Sequence, residues 1–202
     1  MVAKQASRPS VALDGTLVYL RNPAFTQTRL VWRDRNGTYV GHLHQLQREI
    51  SEPAISPDGR FVAVSAKEGG NPDIWIHDLA RGVKTRLTFD RGDDSRPIWS
   101  PDGKTIAFSR EHSDLFLTPS DGSAPERVLL GSATRESIDD WSRDGKYIVY
   151  SVIDAKSGND LRYLRLSENS GSPQSRPFAQ TLFNETAGRL SPDGRFLVSC
   201  PL

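Results

Sequence analysis

The sequence contains a single cysteine, Cys200, so no disulfide can form within the chain. The 26 basic and 25 acidic residues give a formal net charge of +1 at pH 7, which offers no electrostatic reason to expect a nucleic acid as partner. No stretch approaches the roughly 18 apolar residues of a membrane span. The first residues also lack the apolar core of a signal peptide. We therefore expect no disulfide framework, no nucleic-acid partner and no membrane insertion of this chain.

A four-residue motif recurs along the chain at a nearly constant period. Ser-Pro-Asp-Gly, or a close variant of it, begins at five positions, namely Ala12, Ser56, Ser100, Ser142 and Ser191. The copies are 42 to 49 residues apart. Five copies at one period indicate a structural repeat, and internal repeats of this length are typical of solenoids and propellers.

Each copy of the motif lies between two short apolar runs. Asp-Gly in such a position predicts a hairpin turn, because glycine accepts a positive φ without a steric penalty. Alternating strands are expected after the turns, for example at Phe61–Val64 and Tyr147–Tyr150. A second strand pair follows each hairpin, which gives four strands per repeat and the pattern of a propeller blade. The apolar positions of the second and third strands are expected to form the core between blades.

The sequence therefore predicts an all-β fold, a β-propeller of four-stranded antiparallel blades, with about four and a half blades present. The whole chain, 1–202, is one partial propeller in this interpretation. The predicted blades are residues 7–46, 47–90, 91–132 and 133–182, followed by a half-blade at 183–202.

The repeat resembles the WD40-like PD40 repeats of TolB-type propellers. The resemblance rests on Pro97–Ser109, supported by Asp73–Leu79 and Arg86–Thr88. It extends to propellers attached to bacterial serine/threonine kinases and to those of prolyl-oligopeptidase-like peptidases. The resemblance implies a non-catalytic module that binds a protein or peptide through its rim of loops. The alternative is a gating or substrate-selecting propeller of a larger hydrolase whose catalytic domain lies outside this chain. For a full-length parent, the resemblance implies a periplasmic or other extracytoplasmic location.

Motifs for chemistry are weak. Gly103-Lys104-Thr105 lacks the upstream glycine of a phosphate-binding loop, and no Gly-x-Ser-x-Gly nucleophile elbow is present. His42 and His44 could share a metal, but no third ligand is evident, and His77 and His112 are expected at the surface. We therefore predict no catalytic residue, no metal and no cofactor.

A hydroxyl residue occurs five positions before each turn motif, at the start of the predicted innermost strand. These residues are Ser7, Ser51, Ser95, Ser137 and Thr186. We expect the hydroxyls to bond to nearby backbone, whereas the position that follows them varies from blade to blade. Charged residues at these strand entries are the candidate partner-binding rim, namely Glu52, Asp94, Arg96, Glu136 and Glu185.

The predicted half-blade is expected to expose strand edges and the apolar residues Phe196, Leu197 and Val198. Unpaired strand edges favour pairing with another chain. We therefore expect self-association through open blade ends, most simply as a two-fold dimer.

Overall fold

The computed structural model describes residues 6–11, 17–21, 27–43, 46–111, 113–132, 134–154, 158–166, 173–179 and 184–201. Every regular element in these ranges is a β-strand, and no helix capable of crossing a membrane occurs among them. The predicted turn at Ala12–Gly15, together with His44 and His112, falls outside the described residues.

The chain divides into two compact units, Met1–Pro97 and Ile98–Leu202. The first unit contains β1 (Ala6–Val11), β2 (Leu17–Arg21), β3 (Gln27–Thr28), β4 (Leu30–Arg33), β5 (Tyr39–His42), β6 (Gln47–Arg48), β7 (Ser51–Ile55), β8 (Phe61–Ala66), β9 (Asp73–Asp78) and β10 (Val83–Arg86). Two four-stranded sheets are formed, in the orders β1-β2-β4-β5 and β10-β9-β8-β7. The short strands β3 and β6 pair with each other.

Strand β11 (Asp94–Trp99) begins in the first unit and ends in the second. The second unit continues with β12 (Thr105–Arg110), β13 (Asp114–Pro119), β14 (Arg127–Leu130), β15 (Arg135–Trp141), β16 (Tyr147–Asp154), β17 (Gly158–Arg165), β18 (Gln174–Ala179), β19 (Glu185–Leu190) and β20 (Leu197–Pro201). The sheets run β11-β12-β13-β14 and β15-β16-β17-β18, and β19 pairs with β20 alone among the described strands. Each sheet of four follows chain order, so the prediction of four-stranded antiparallel blades is confirmed. The blade boundaries themselves stay a prediction.

Most of the buried apolar residues lie on second and third strands, namely β4, β8, β9, β12, β13, β16 and β17 among those whose burial is described. In the first unit, Val62 and Val64 of β8 pack with Leu30 and Ile50. In the second unit, a larger cluster includes Ala107, Leu117, Ile148, Tyr150 and Leu164. The expectation that these strands form the core is confirmed. Each fully buried Leu or Ile contributes about 1.5–3 kcal/mol relative to an exposed one, so the sheets are stabilised mainly through these faces.

The Ser-Pro-Asp-Gly turns share one hydrogen-bonding pattern. In the first complete copy, Ser56 Oγ donates to Asp58 Oδ1 (2.6 Å) and accepts from the Phe61 N–H (2.9 Å). The same Asp58 oxygen accepts from the Arg60 N–H, and Gly59 has a φ of 71°. The bond from Ser56 lowers the pKa of Asp58. The turns that begin at Ser100, Ser142 and Ser191 repeat this pattern. The motif is therefore a local device that fixes a tight turn between the first two strands.

Candidate functional site

The first strand of several blades contains a backbone irregularity at one equivalent position. Glu52, Arg96 and Ala187 have φ values of 53°, 54° and 56°, which is unusual for residues other than glycine. The strand pairing shifts register beside Glu52 and Ala187. Strain of this kind costs on the order of 1–3 kcal/mol and is frequently found where a protein binds a ligand. These bulges mark the first strands as the place to look for a site.

Two of the predicted rim residues, Glu52 and Arg96, contact each other in the first unit. The Arg96 N–H donates to Glu52 Oε2 at 2.5 Å, and the Arg96 Nε atom lies 3.7 Å from Glu52 Oε1. Both side chains are half-buried. The carboxylate of one first strand therefore holds the bulge of the next, and the two charges largely compensate each other.

Asp94, the third candidate in the first unit, is fully buried. Its N–H donates to the Pro72 carbonyl at 2.9 Å, and its own carbonyl accepts from Ser65 Oγ at 2.7 Å. These backbone bonds fix the start of β11. The Asp94 side chain itself is buried and is not presented to solvent.

The second unit buries Glu136 at the start of β15, where its side chain is 4% exposed. The Thr134 hydroxyl lies 3.5 Å from Glu136 Oε1, and Glu136 Oε2 has no hydrogen-bond partner among the described residues. Burial raises the pKa of Glu136 to about 7, and the nearby Asp114 carboxylate adds to the increase. The hydroxyls of Ser132 and Thr134 and the Arg162 guanidinium act in the opposite direction. Glu136 is therefore a proton-binding group near neutral pH.

Glu185, the fifth candidate, is also buried, at the start of β19. The residue before it, Asn184, accepts a hydrogen bond from the Asn159 N–H at 2.8 Å. Asp94, Glu136 and Glu185 each directly precede the hydroxyl residue of their blade. The sequence analysis placed these three at the strand entries, but the alternation of residue types gave no sign that their carboxylates are buried.

The hydroxyls that bond between neighbouring sheets belong to second strands and not to the starts of first strands. Ser109 Oγ, in β12, accepts from the Ile138 N–H of β15 at 2.9 Å, whereas Ser65 Oγ, in β8, donates to the Asp94 carbonyl of β11 at 2.7 Å. By contrast, the hydroxyls of Ser51, Ser137 and Thr186 make no side-chain hydrogen bond within the described part of the chain. The expected bonding of these three to local backbone was wrong. Their hydroxyls remain available at the start of the first strands.

His77 was wrongly predicted as a surface residue. It is 3% exposed, and its Nε2 atom lies 2.9 Å from Gln47 Oε1. Burial lowers the pKa of His77 to about 4. The sequence signal that could have revealed it is its place in β9, a strand that is buried along most of its length. His42 contacts the Tyr39 hydroxyl, and no group of three metal-ligating side chains occurs in the described ranges.

Comparison with known proteins assigns the family. A model of the PD40 family, described as the TolB beta propeller domain, matches residues 27–200. The chain belongs to the PD40 TolB β-propeller family. The prediction of a TolB-type propeller, incomplete in this chain, is thereby confirmed.

Proteins similar to this PD40 propeller include TolB proteins and, by fold alone, peptidases. The Tol-Pal system protein TolB of Francisella tularensis subsp. mediasiatica (strain FSC147) is 29% identical over 161 residues, which cover 77% of this chain and 36% of that protein. The crystal structure of TolB from Acinetobacter baumannii is similar with a TM-score of 0.72 and 20% identity, over 98% of this chain and 54% of that one. A prolyl endopeptidase structure is similar with a TM-score of 0.62 and 19% identity, over 90% of this chain and 30% of that one. This PD40 chain spans about a third of the length of the curated relatives it matches.

Proposed function

We propose that the chain is a non-catalytic, protein- or peptide-binding part of a propeller. Its partner would bind at the ends of the blades where the first strands begin. The observation that carries the proposal is the repeated construction of these strand starts. A hydroxyl residue recurs at each of these starts, together with a strained or irregular backbone. The residue that follows the hydroxyl differs from blade to blade, being Glu52, Arg96, Ile138 or Ala187. A constant scaffold with one variable position is suited to recognition, because the variable side chains set specificity without altering the strands.

The buried acidic groups at the strand starts also support the proposal. Asp94 in the first unit, and Glu136 and Glu185 in the second, are buried there, and Glu136 Oε2 has no hydrogen-bond partner among the described residues. Glu136, whose pKa is about 7, is only partly ionised at neutral pH, so it offers a partner a carboxyl oxygen rather than a full charge. We infer that a partner reaching these strand starts presents hydrogen-bond donors or basic side chains.

A second candidate function is the gating or substrate-selecting propeller of a larger hydrolase. The similarity to the structure of a prolyl endopeptidase, in which inter-domain dynamics has a role in catalysis and specificity, favours it. The parent gene distinguishes the two functions. A hydrolase domain encoded beside this propeller supports gating, whereas its absence supports the binding module.

The matched TolB proteins also support an extracytoplasmic parent. Cell fractionation of the parent protein tests this location. Recovery with cytoplasmic markers alone would contradict it.

Site-specific photo-cross-linking in the parent protein tests the binding face. A photoreactive residue replaces Asp93, which directly precedes β11, or Arg135, the first residue of β15, and both positions are exposed. As matched controls, it replaces Asp58 or Asp144, which are exposed in the turns at the opposite ends of first strands. We expect a discrete cross-linked partner from the first pair and none from the second. Cross-links from the turn positions alone would contradict the proposal.

A further inference from the structure

A groove in the second unit lies apart from the proposed rim, at the turn end of the sheets β11–β14 and β15–β18. Its volume is about 630 Å³, within the range of about 300–1,000 Å³ found for small-ligand sites. The groove continues the core of this unit, because Leu117 and Leu129 line it and also belong to the buried cluster. It therefore offers an apolar surface that a ligand side chain can enter without displacing any strand.

The walls of the groove are held in place by contacts outside it. The Trp141 indole N–H donates to the Gly145 carbonyl at 3.2 Å, which fixes the ring against the turn. Leu166, opposite, is anchored by its N–H to the Lys146 carbonyl at 2.8 Å. Since the indole N–H is already bonded, the ring presents only apolar surface to the groove.

Arg127 is the one charged residue among the described residues that line the groove. Its side chain is exposed and makes no ion pair or hydrogen bond with any described residue. The adjacent Glu126 does not neutralise it, because Glu126 pairs with Arg110 at 2.6 Å. Within the described part of the chain, the groove thus combines apolar walls with one positive charge that no acidic side chain pairs with.

We propose that this groove binds a peptide segment in which a large apolar side chain is followed directly by a carboxylate. The apolar side chain occupies the space between Leu117 and Trp141, and the carboxylate pairs with Arg127. A single guanidinium matches a single carboxylate in charge and in its two parallel donors. A phosphate group, with a charge of about −1.5 to −2, would remain partly uncompensated beside apolar walls. This site is additional to the proposed rim and does not depend on it.

Two labelled peptides test the proposal by fluorescence anisotropy on the 202-residue chain. One is Gly-Leu-Phe-Glu-Gly amide, and the other carries glutamine in place of glutamate. We expect saturable binding of both, with the glutamate peptide about two- to fivefold tighter at low salt, the effect of one exposed ion pair. Added salt should reduce this preference, because it screens exposed charges.

Variants identify the groove as the site. Arg127→Glu should reverse the preference, so that the glutamine peptide binds more tightly. Arg176→Glu is the matched control. Arg176 lies opposite Tyr163 in the β17–β18 strand pair, just as Arg127 lies opposite Leu117 in the β13–β14 pair. Arg176 is not among the residues that line the groove. Ala124→Trp, at an exposed lining position, should weaken the binding of both peptides at least tenfold by filling the groove. Ser123→Trp, at the neighbouring exposed position outside the groove, should leave the binding of both peptides unchanged. Absence of saturable binding, or an unchanged preference in Arg127→Glu, would overturn the proposal.

Discussion

At the scale of single residues, the Ser-Pro-Asp-Gly turns show how a short motif fixes local structure. Gly59 has a positive φ, and a Cβ atom built on it would meet no other atom within 4 Å. Its requirement for glycine is therefore conformational and not steric. We expect Gly59→Ala to lower the free energy of unfolding by about 1–2 kcal/mol, the cost of the left-handed region for a residue with a Cβ.

Two further variants check this explanation by urea denaturation. Gly59→Asn should cost less than Gly59→Ala, because asparagine adopts the left-handed conformation more readily. Gly69→Ala is the control, since Gly69 also has open space around its Cβ position but no positive φ. Equal losses in Gly59→Ala and Gly69→Ala would show that the turn conformation is not the cause.

Glu136 gives a residue-scale prediction about pH. Its pKa of about 7 in the folded chain lies above its ordinary value of 4.5, so the folded state holds a proton that the unfolded state has released. The contribution of this group to stability is fully present below pH 4.5 and is lost as the pH rises through about 7. The loss amounts to roughly 3 kcal/mol.

Glu136→Gln should abolish this loss. The measurement is the difference in unfolding free energy between wild type and variant from pH 4.5 to 8, which cancels the contributions of other groups such as His77. The contribution of His77 to stability has the opposite pH dependence. Because its pKa in the folded chain is about 4, the folded state becomes less stable as the pH falls from 6.5 to 4. Glu111→Gln, at an exposed carboxylate, is the control and should track the wild type. A pH-independent difference between Glu136→Gln and wild type would contradict the account.

At the scale of strands, a buried serine joins neighbouring sheets. The Ile138 N–H in the middle of β15 donates to Ser109 Oγ in β12, and both residues are buried. Ser109→Ala leaves this N–H without its partner, and an unsatisfied buried donor costs about 1–3 kcal/mol. We expect a loss of that size in thermal or urea unfolding. Ser123→Ala, at an exposed serine, should change stability by less than about 0.5 kcal/mol, and a comparable loss in both variants would argue against the bond.

The pair β19–β20 supports the proposed self-association of the 202-residue chain. Phe196, which precedes β20, is 63% exposed, and Val198, within β20, is 68% exposed. Among the described strands, β20 pairs only with β19. Exposed apolar strands of this kind favour edge pairing. Light scattering after size-exclusion chromatography should give a mass that rises with concentration, and the double variant Phe196→Lys, Val198→Lys should remain monomeric. Val83→Lys, on the edge strand β10, is the control. A wild-type chain that stays monomeric at high concentration would contradict the proposal.

At the scale of the whole chain, the repeat made the fold predictable, because each turn is specified by residues within one short segment. Ser56 and Phe61, for example, are five positions apart and bond directly. The burial of His77 and Glu136 could not be predicted in the same way. His77 bonds to Gln47, which lies 30 residues earlier, and Glu136 is enclosed by residues from other strands. Features that depend on how strands pack leave little trace in the local pattern from which the fold was inferred.

The rim residues show the same division. The sequence identified charged residues at the entries of the first strands, and Asp94, Glu136 and Glu185 do lie at the starts of β11, β15 and β19. It did not indicate that Glu52 would hold the bulge at Arg96 through a backbone N–H. That contact joins two blades, 44 residues apart, and depends on their packing.

Amide hydrogen exchange of the parent protein, with and without the partner captured by cross-linking, tests the central claim most directly. We predict that the partner slows exchange at the strand starts around residues 50–53, 93–97 and 134–138. Exchange at the Ser-Pro-Asp-Gly turns that begin at Ser56, Ser100 and Ser142 should be unchanged. Protection confined to these turns or to the outer strands β10, β14 and β18 would contradict the assignment of the first-strand starts as the binding face.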